Sequence, residues 1–155
     1  MLDRPKTAEI SPELEDFITF QLSRLQNALN SQASHILKIH SDLSLTEWRA
    51  ISLINSKQST TLAQLSRMGS LDKGQLSRAI KRLIGNGYVG SAGDPDDQRR
   101  SILTLSPKGQ AIHTLLLPIM RQRQTALTSE LSEEELDVFR KSVRKIKTAA
   151  QNRDF

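Results

Sequence analysis

The sequence predicts a mainly α-helical chain with one small β-hairpin. Three observations predict it. Apolar residues recur at three- and four-residue spacing behind capping residues along most of the chain. Two short capped segments are separated by only Gly69-Ser70-Leu71. Between Tyr88 and Leu105, two short strand-like runs flank a cluster of turn residues.

Taken in order, Ser11-Pro12-Glu13 starts a helix: a hydroxyl cap, a proline where no N–H is needed, then an acid in the first turn. Leu14, Phe17, Ile18, Leu22, Leu25, Leu29, Ala33, Ile36 and Leu37 carry the helical spacing on to about His40. Ser44-Leu45-Thr46-Glu47 has capping-box spacing before Trp48, Ile51 and Ile54. Thr61 to Gln64 and Asp72 to Gln75 repeat the device, so two short helices meet across a three-residue turn. That is the pattern of a helix-turn-helix. Gly85-Asn86-Gly87 ends the second of these helices. Tyr88-Val89 and Ser101–Leu105 are the strands, with Gly93-Asp94-Pro95-Asp96-Asp97 as the turn, which places a hairpin wing directly behind the helix-turn-helix. Ser106-Pro107 opens a helix carrying Ile112, Leu115, Leu116, Ile119 and Leu127, with Pro118 expected to kink it. Ser132 to Glu135 is a further capping box, before Leu136, Phe139, Val143 and Ile146. The expected division is a winged helix-turn-helix lobe over 43–106, a discontinuous helical dimerisation region over 11–42 and 107–150, and flexible ends at 1–10 and 151–155.

Composition narrows the function. The chain has 155 residues, 37% of them hydrophobic and 25% charged, the balance of a globular protein. It has no cysteine, which excludes disulfides, thiolate metal sites and thiol redox sensing. No apolar run nears the roughly 20 residues of a membrane span, and Met1-Leu2-Asp3 does not start a signal peptide, so a cytoplasmic protein is expected. There is no glycine-rich phosphate loop, nucleophile elbow or metalloprotease motif, so no enzyme activity is expected. His35, His40 and His113 lack ligand spacing, so neither a metal nor another cofactor is expected.

Charge location points to a partner. Between Lys57 and Gly93 six basic residues face one acid, which accounts for the whole net charge of +5. A basic island in an otherwise neutral chain suits a polyanion. On a wheel of the helix after Asp72, Leu76, Ile80, Leu83 and Ile84 fall on one side and Arg78 on the other. Gln75, Ser77 and Arg78 are the candidates for reading base edges of double-stranded DNA, since Arg grips guanine and Gln adenine in bidentate fashion. Lys73, Lys81 and Arg82 are the candidates for phosphate contact, which adds affinity without sequence information. At the hairpin tip, Asp97-Gln98-Arg99 followed by Arg100 sets a carboxylate beside arginines suited to the minor groove. The long first helix and the last two carry more apolar surface than a small lobe can cover, so a two-fold homodimer is expected. A competing reading keeps the fold as a protein-interaction module without DNA binding; the basic face of the second helix argues against it.

Leu45-Thr46-Glu47-Trp48, Thr61 with Leu65, Leu71-Asp72-Lys73-Gly74-Gln75-Leu76-Ser77-Arg78, Asp94-Pro95-Asp96-Asp97-Gln98-Arg99-Arg100, Leu105-Ser106-Pro107-Lys108-Gly109 and Leu131–Leu136 together resemble the MarR family of bacterial regulators, in order and spacing, over about residues 43–147. The resemblance implies a triangular dimer with interlocked first and last helices, each winged lobe on one half of a pseudopalindromic operator. It implies a wing arginine at Arg99 held by Asp97, and usually repression. It also implies release by a small aromatic or phenolic effector near the lobe's junction with the dimer helices. His40, Trp48 and Arg49 are the candidate pocket residues, although Trp48 also suits a core position and His40 a helix end. Ser77 stands where many members carry Thr, and Ser66 where Ala is usual.

Overall fold

A computed structural model describes residues 12–69, 71–97 and 100–152. The expected cap at Ser11 and most of the expected flexible ends, 1–10 and 153–155, lie outside these residues. The elements are α1 (Pro12–Glu15), α2 (Ile18–His40), α3 (Leu45–Lys57), α4 (Leu62–Gly69), α5 (Lys73–Gly85), β1 (Val89–Gly93), β2 (Ser101–Leu105), α6 (Pro107–Thr128) and α7 (Glu133–Ala149). The chain forms two compact units, one ending at His113 and the other beginning at Thr114. No helix among the described residues is long and apolar enough to cross a membrane.

The expected single first helix is instead two. Phe17 is extended (φ −70°, ψ 121°) and makes no side-chain cap, so a one-turn α1 stops short of α2. Apolar spacing runs unbroken from Leu14 through Ile18 to Leu22, and periodicity therefore cannot register a break made by one residue's ψ. The other starts follow the sequence. Ser44 and Glu47 form a reciprocal capping box, the Thr61 hydroxyl accepts from the Gln64 N–H while Gln64 Oε1 accepts from the Thr61 N–H, and Asp72 accepts from the Gln75 N–H at 2.7 Å. Each such cap is worth about 1 kcal/mol.

In the first unit Leu37, Ile51, Ile54, Leu65, Leu76 and Leu83 are fully buried, one or more from each of α2 to α5. Each contributes roughly 1.5–3 kcal/mol by leaving water. Helix α5 ends in a Schellman motif: Gly87 takes φ +75°, its N–H donates to Ile84 O at 3.0 Å, and the Tyr88 N–H donates to Leu83 O at 2.9 Å. That use of Tyr88 moves the start of β1 to Val89, one residue later than the sequence suggests. Strands β1 and β2 pair antiparallel from Val89↔Leu105 to Gly93↔Ser101. Thr60, just before α4, exchanges both backbone hydrogen bonds with Leu103 at 3.1 and 2.7 Å, tying the wing to the entrance of the helix-turn-helix. A lone bridging residue has no periodic signature.

Helix α6 is clamped where it starts. The Ser106 hydroxyl donates to Gly87 O at 2.6 Å and accepts from the Gly109 N–H at 3.0 Å. Lys108 Nζ donates to Asn86 O at 2.7 Å and lies 4.4 Å from the Tyr88 ring centroid. The helix runs on through Pro118. In the second unit α7 starts at the Ser132–Glu135 capping box, where the Ser132 N–H and hydroxyl hold the Glu135 carboxyl below its ordinary range. Leu131 just before it, and Val138, Phe139 and Val143 along it, are exposed.

Candidate nucleic-acid interface

The cap at Asp72 and the burial of Leu76, Ala79, Ile80 and Leu83 fix which face of α5 points outward. Lys73, Gln75, Arg78 and Lys81 are exposed on that face, and Ser77 is half-buried at its flank. Ile84, expected on the apolar side, is 38% exposed and lines a groove instead. The Arg78 guanidinium folds back over Gly74, where an added Cβ would lie 3.6 Å from Nη1 and 3.3 Å from the Asp72 cap oxygen. A methyl at Gly74 would need the Asp72 carboxylate to give by a few tenths of an ångström.

Between α4, α5 and the wing runs an open groove of about 580 Å³. Lys73, Ser77 and Lys81 line it from α5, Gln64 and Arg67 from α4, and Arg100 from the hairpin. Arg67 belongs to the basic island, but its placement beside the outward side of α5 needs the packing of α4 on α5. In the wing, Arg100 Nε pairs with Asp97 Oδ2 at 3.0 Å, and the Arg100 N–H donates to Asp97 O at 2.9 Å. Such an exposed pair is worth at most about 1 kcal/mol, so it orients more than it stabilises. The expected hold of Asp97 on Arg99 lies outside the described residues, as do Gln98 and Arg99 themselves.

Arg82, grouped with the phosphate ligands from the wheel, is turned to α3: its Nε lies 3.2 Å from Glu47 Oε1. The wheel of α5 cannot show this, because the acid comes from another helix. Glu47 is only 2% exposed. Nearby, the Tyr88 hydroxyl donates to Asp42 Oδ1 at 3.0 Å. Burial, then the Asp42 hydrogen bond and charge, then the Glu47 charge, push the Tyr88 phenol above its ordinary value of 10.0. The folded chain therefore favours the neutral phenol. Its contribution to stability is complete below about pH 10 and is lost as pH rises through the higher folded value. Tyr88 is the sole tyrosine, so alkaline titration of tyrosinate absorbance should show one midpoint above 10 that coincides with or precedes unfolding; a native midpoint at or below 10 would contradict this packing.

The three candidate pocket residues separate. Trp48 is buried and stacks on His113, ring centroids 5.5 Å apart at 16°. Arg49 Nη2 donates to Asn30 Oδ1 at 2.8 Å. His40 is exposed at the last residue of α2. In the sequence His113 bears only on metal ligation; its stacking on Trp48 depends on how α6 packs on α3. One helical turn beyond Trp48, the Ser52 hydroxyl is buried with no hydrogen-bond partner, a polar atom that sequence spacing does not flag.

A family model described as MarR family matches residues 43–101, the span from the end of α2 to the start of β2. An uncharacterised HTH-type transcriptional regulator of Staphylococcus aureus is 26% identical over 98 residues, and the match covers 63% of this chain and 66% of that protein, slightly under two thirds of its length. The HTH-type transcriptional regulator TcaR of Staphylococcus aureus is 28% identical over 132 residues, covering 82% of this chain and 86% of TcaR. Among solved structures, a MarR/EmrR family transcriptional regulator from Acinetobacter sp. ADP1 superposes with a TM-score of 0.80 at 26% identity, over 86% of this chain and 94% of its own. The PcaV transcriptional regulator from Streptomyces coelicolor, solved with its natural ligand, gives 0.77 at 20% identity over 92% and 99%. A mutant MarR from E. coli, solved with operator DNA, gives 0.69 at 23% identity over 81% and 93%.

Proposed function

We propose that the chain is a MarR-family transcriptional regulator and not an enzyme, a cytoplasmic repressor that binds a pseudopalindromic operator as a homodimer and is released by a small aromatic or phenolic ligand. One observation carries the reading: α5 buries its apolar side completely enough that Lys73, Gln75, Arg78 and Lys81 form a continuous outward face. Gln75, Ser77 and Arg78 read bases from the N-terminal half of α5; Lys73 and Lys81 neutralise phosphate. Arg99 and Arg100 in the wing reach the adjacent minor groove, with Asp97 holding Arg100. The fold's likeness to a MarR protein solved on operator DNA supports this use of the face.

Exposed Phe17, Ile18 and Leu25 in the first unit, and Val138, Phe139 and Val143 in the second, support a dimer in which both sets are covered. The two copies of α5 then lie about one turn of DNA apart, roughly 34 Å. For the ligand, His40, Trp48 and Arg49 remain the candidate residues, with the Arg49 guanidinium as the donor to a carboxylate. Likeness to a regulator solved with its natural ligand supports a ligand-responsive role.

Selection of genomic fragments by the purified chain, repeated with added aromatic acids, tests both halves. Recovery of fragments sharing an inverted repeat, lost with a subset of the acids, is the expected result. Recovery without any shared sequence would sink operator reading, and recovery indifferent to every acid would sink release.

A further inference from the structure

We propose that Glu47 and Arg82 form a positioning pair that sets the angle of the reading helix, so that Arg82 acts in recognition through α3 and not as a phosphate ligand. The proposal rests on the DNA-reading role of α5.

The chain uses the same capping device at three helix starts, and comparing them isolates what is particular to Glu47. At α4 the reciprocal partner is the neutral amide of Gln64, and at α7 it is the solvated carboxylate of Glu135. Capping therefore requires neither a charge nor burial. At α3 the partner is a carboxylate only 2% exposed. Its Oε2 accepts from the Ser44 N–H at 2.7 Å, which completes the cap, and its Oε1 faces Arg82 Nε at 3.2 Å. A buried carboxylate is retained only where a cation or hydrogen bonds compensate its lost hydration. Here the cation comes from the last turn of α5.

Direction decides between the two roles for Arg82: its neighbour Lys81 lines the groove between α4, α5 and the wing, whereas Arg82 Nε faces Glu47 on α3. The outward residues Lys73, Gln75 and Arg78 occupy the N-terminal half of α5, which a recognition helix presents to bases. Arg82 lies at the opposite end, beside a second tie between the same two corners, Tyr88 to Asp42 at 3.0 Å. Together the ties hold the C-terminal end of α5 to the start of α3 and the turn before it. Lys73 and Arg82 are nine residues apart, about 13.5 Å along the axis, so a tilt of about 5° at the Arg82 end moves the Lys73 end by about 1.2 Å. Hydrogen bonds to base edges tolerate only about half an ångström. A small loosening of the pair is thereby magnified where bases are read.

The test compares Glu47→Gln, Arg82→Gln and the double variant of the full chain on a selected operator duplex and on an unrelated duplex, across a salt series. Gln at 47 keeps an oxygen for the Ser44 N–H and nearly the same volume, and Arg82 is exposed, so both chains retain their caps and core. Each single variant should weaken operator binding by about 5- to 30-fold, the double variant no more than the weaker single, with unrelated-duplex affinity and salt slope unchanged. If Arg82 instead binds phosphate, freeing it by Glu47→Gln would leave binding equal or tighter, and Arg82→Gln would weaken both duplexes alike and flatten the slope by about one for each phosphate no longer neutralised. Either outcome overturns the pair. Should Glu47→Gln melt at a temperature that prevents its use, the slope and duplex preference of Arg82→Gln alone decide. A wild-type chain that binds no duplex would overturn the recognition reading itself, and the pair's role with it.

Discussion

Arg78→Ala is expected to cost about 1–3 kcal/mol of operator affinity and to relax the preference at one base pair of each half-site. The loss follows from placement. Arg78 projects opposite the buried side of α5, less than two turns in from the Asp72 cap, with its guanidinium lying over Gly74. A guanidinium carries five donors, and two of them match the paired acceptors of guanine. Binding to a panel of operators carrying single substitutions measures both parts. A variant that loses affinity for every sequence equally would reassign Arg78 to phosphate, and one that loses none would remove it from the interface.

Gly109→Ala should be the most damaging single methyl in the lobe. In the first turn of α6, a Cβ at 109 would fall on the Tyr88 carbonyl oxygen, and would also press on Leu105 Cδ2 at 3.3 Å. The Tyr88 carbonyl is itself engaged by the Ser106 N–H at 3.1 Å, so the backbone cannot yield without opening the junction of α5, β1 and α6. The expected cost is about 2–3 kcal/mol, a fall in melting temperature of roughly 5–10 °C for a chain of this size. Gly85→Ala, with open space around its Cβ, provides the control and should change stability by less than about 1 kcal/mol. Equal melting temperatures for the two variants would show that the start of α6 does not lie against the Tyr88 carbonyl.

The legible parts of the molecule are those written in local chemistry. Caps at Ser44, Thr61, Asp72, Ser106 and Ser132 fix helix starts by hydrogen bonds within four residues, and all of them form. The Gly87 turn is equally local. The outward set on α5 follows from one helix wheel, and it is exposed apart from the half-buried Ser77. What escapes the sequence depends on contacts between elements. Glu47 has the same sequence context as Glu135, and only the packing of α5 on α3 buries one and leaves the other in water. The stacking of His113 on Trp48 joins residues 65 positions apart, and Thr60 bridges to Leu103 across 43. The break at Phe17 is a matter of one backbone angle that leaves the apolar spacing intact.

The proposed function requires a basic face, duplicated by two-fold symmetry, that grips duplex DNA. Titrating a selected operator duplex in dilute and rising salt, with sedimentation to count chains per site, tests this most directly. Two chains per site are expected, with log affinity falling linearly against log salt at a slope reporting several neutralised phosphates. A chain that sediments as a stable monomer and leaves duplex DNA unbound even in dilute salt would contradict it.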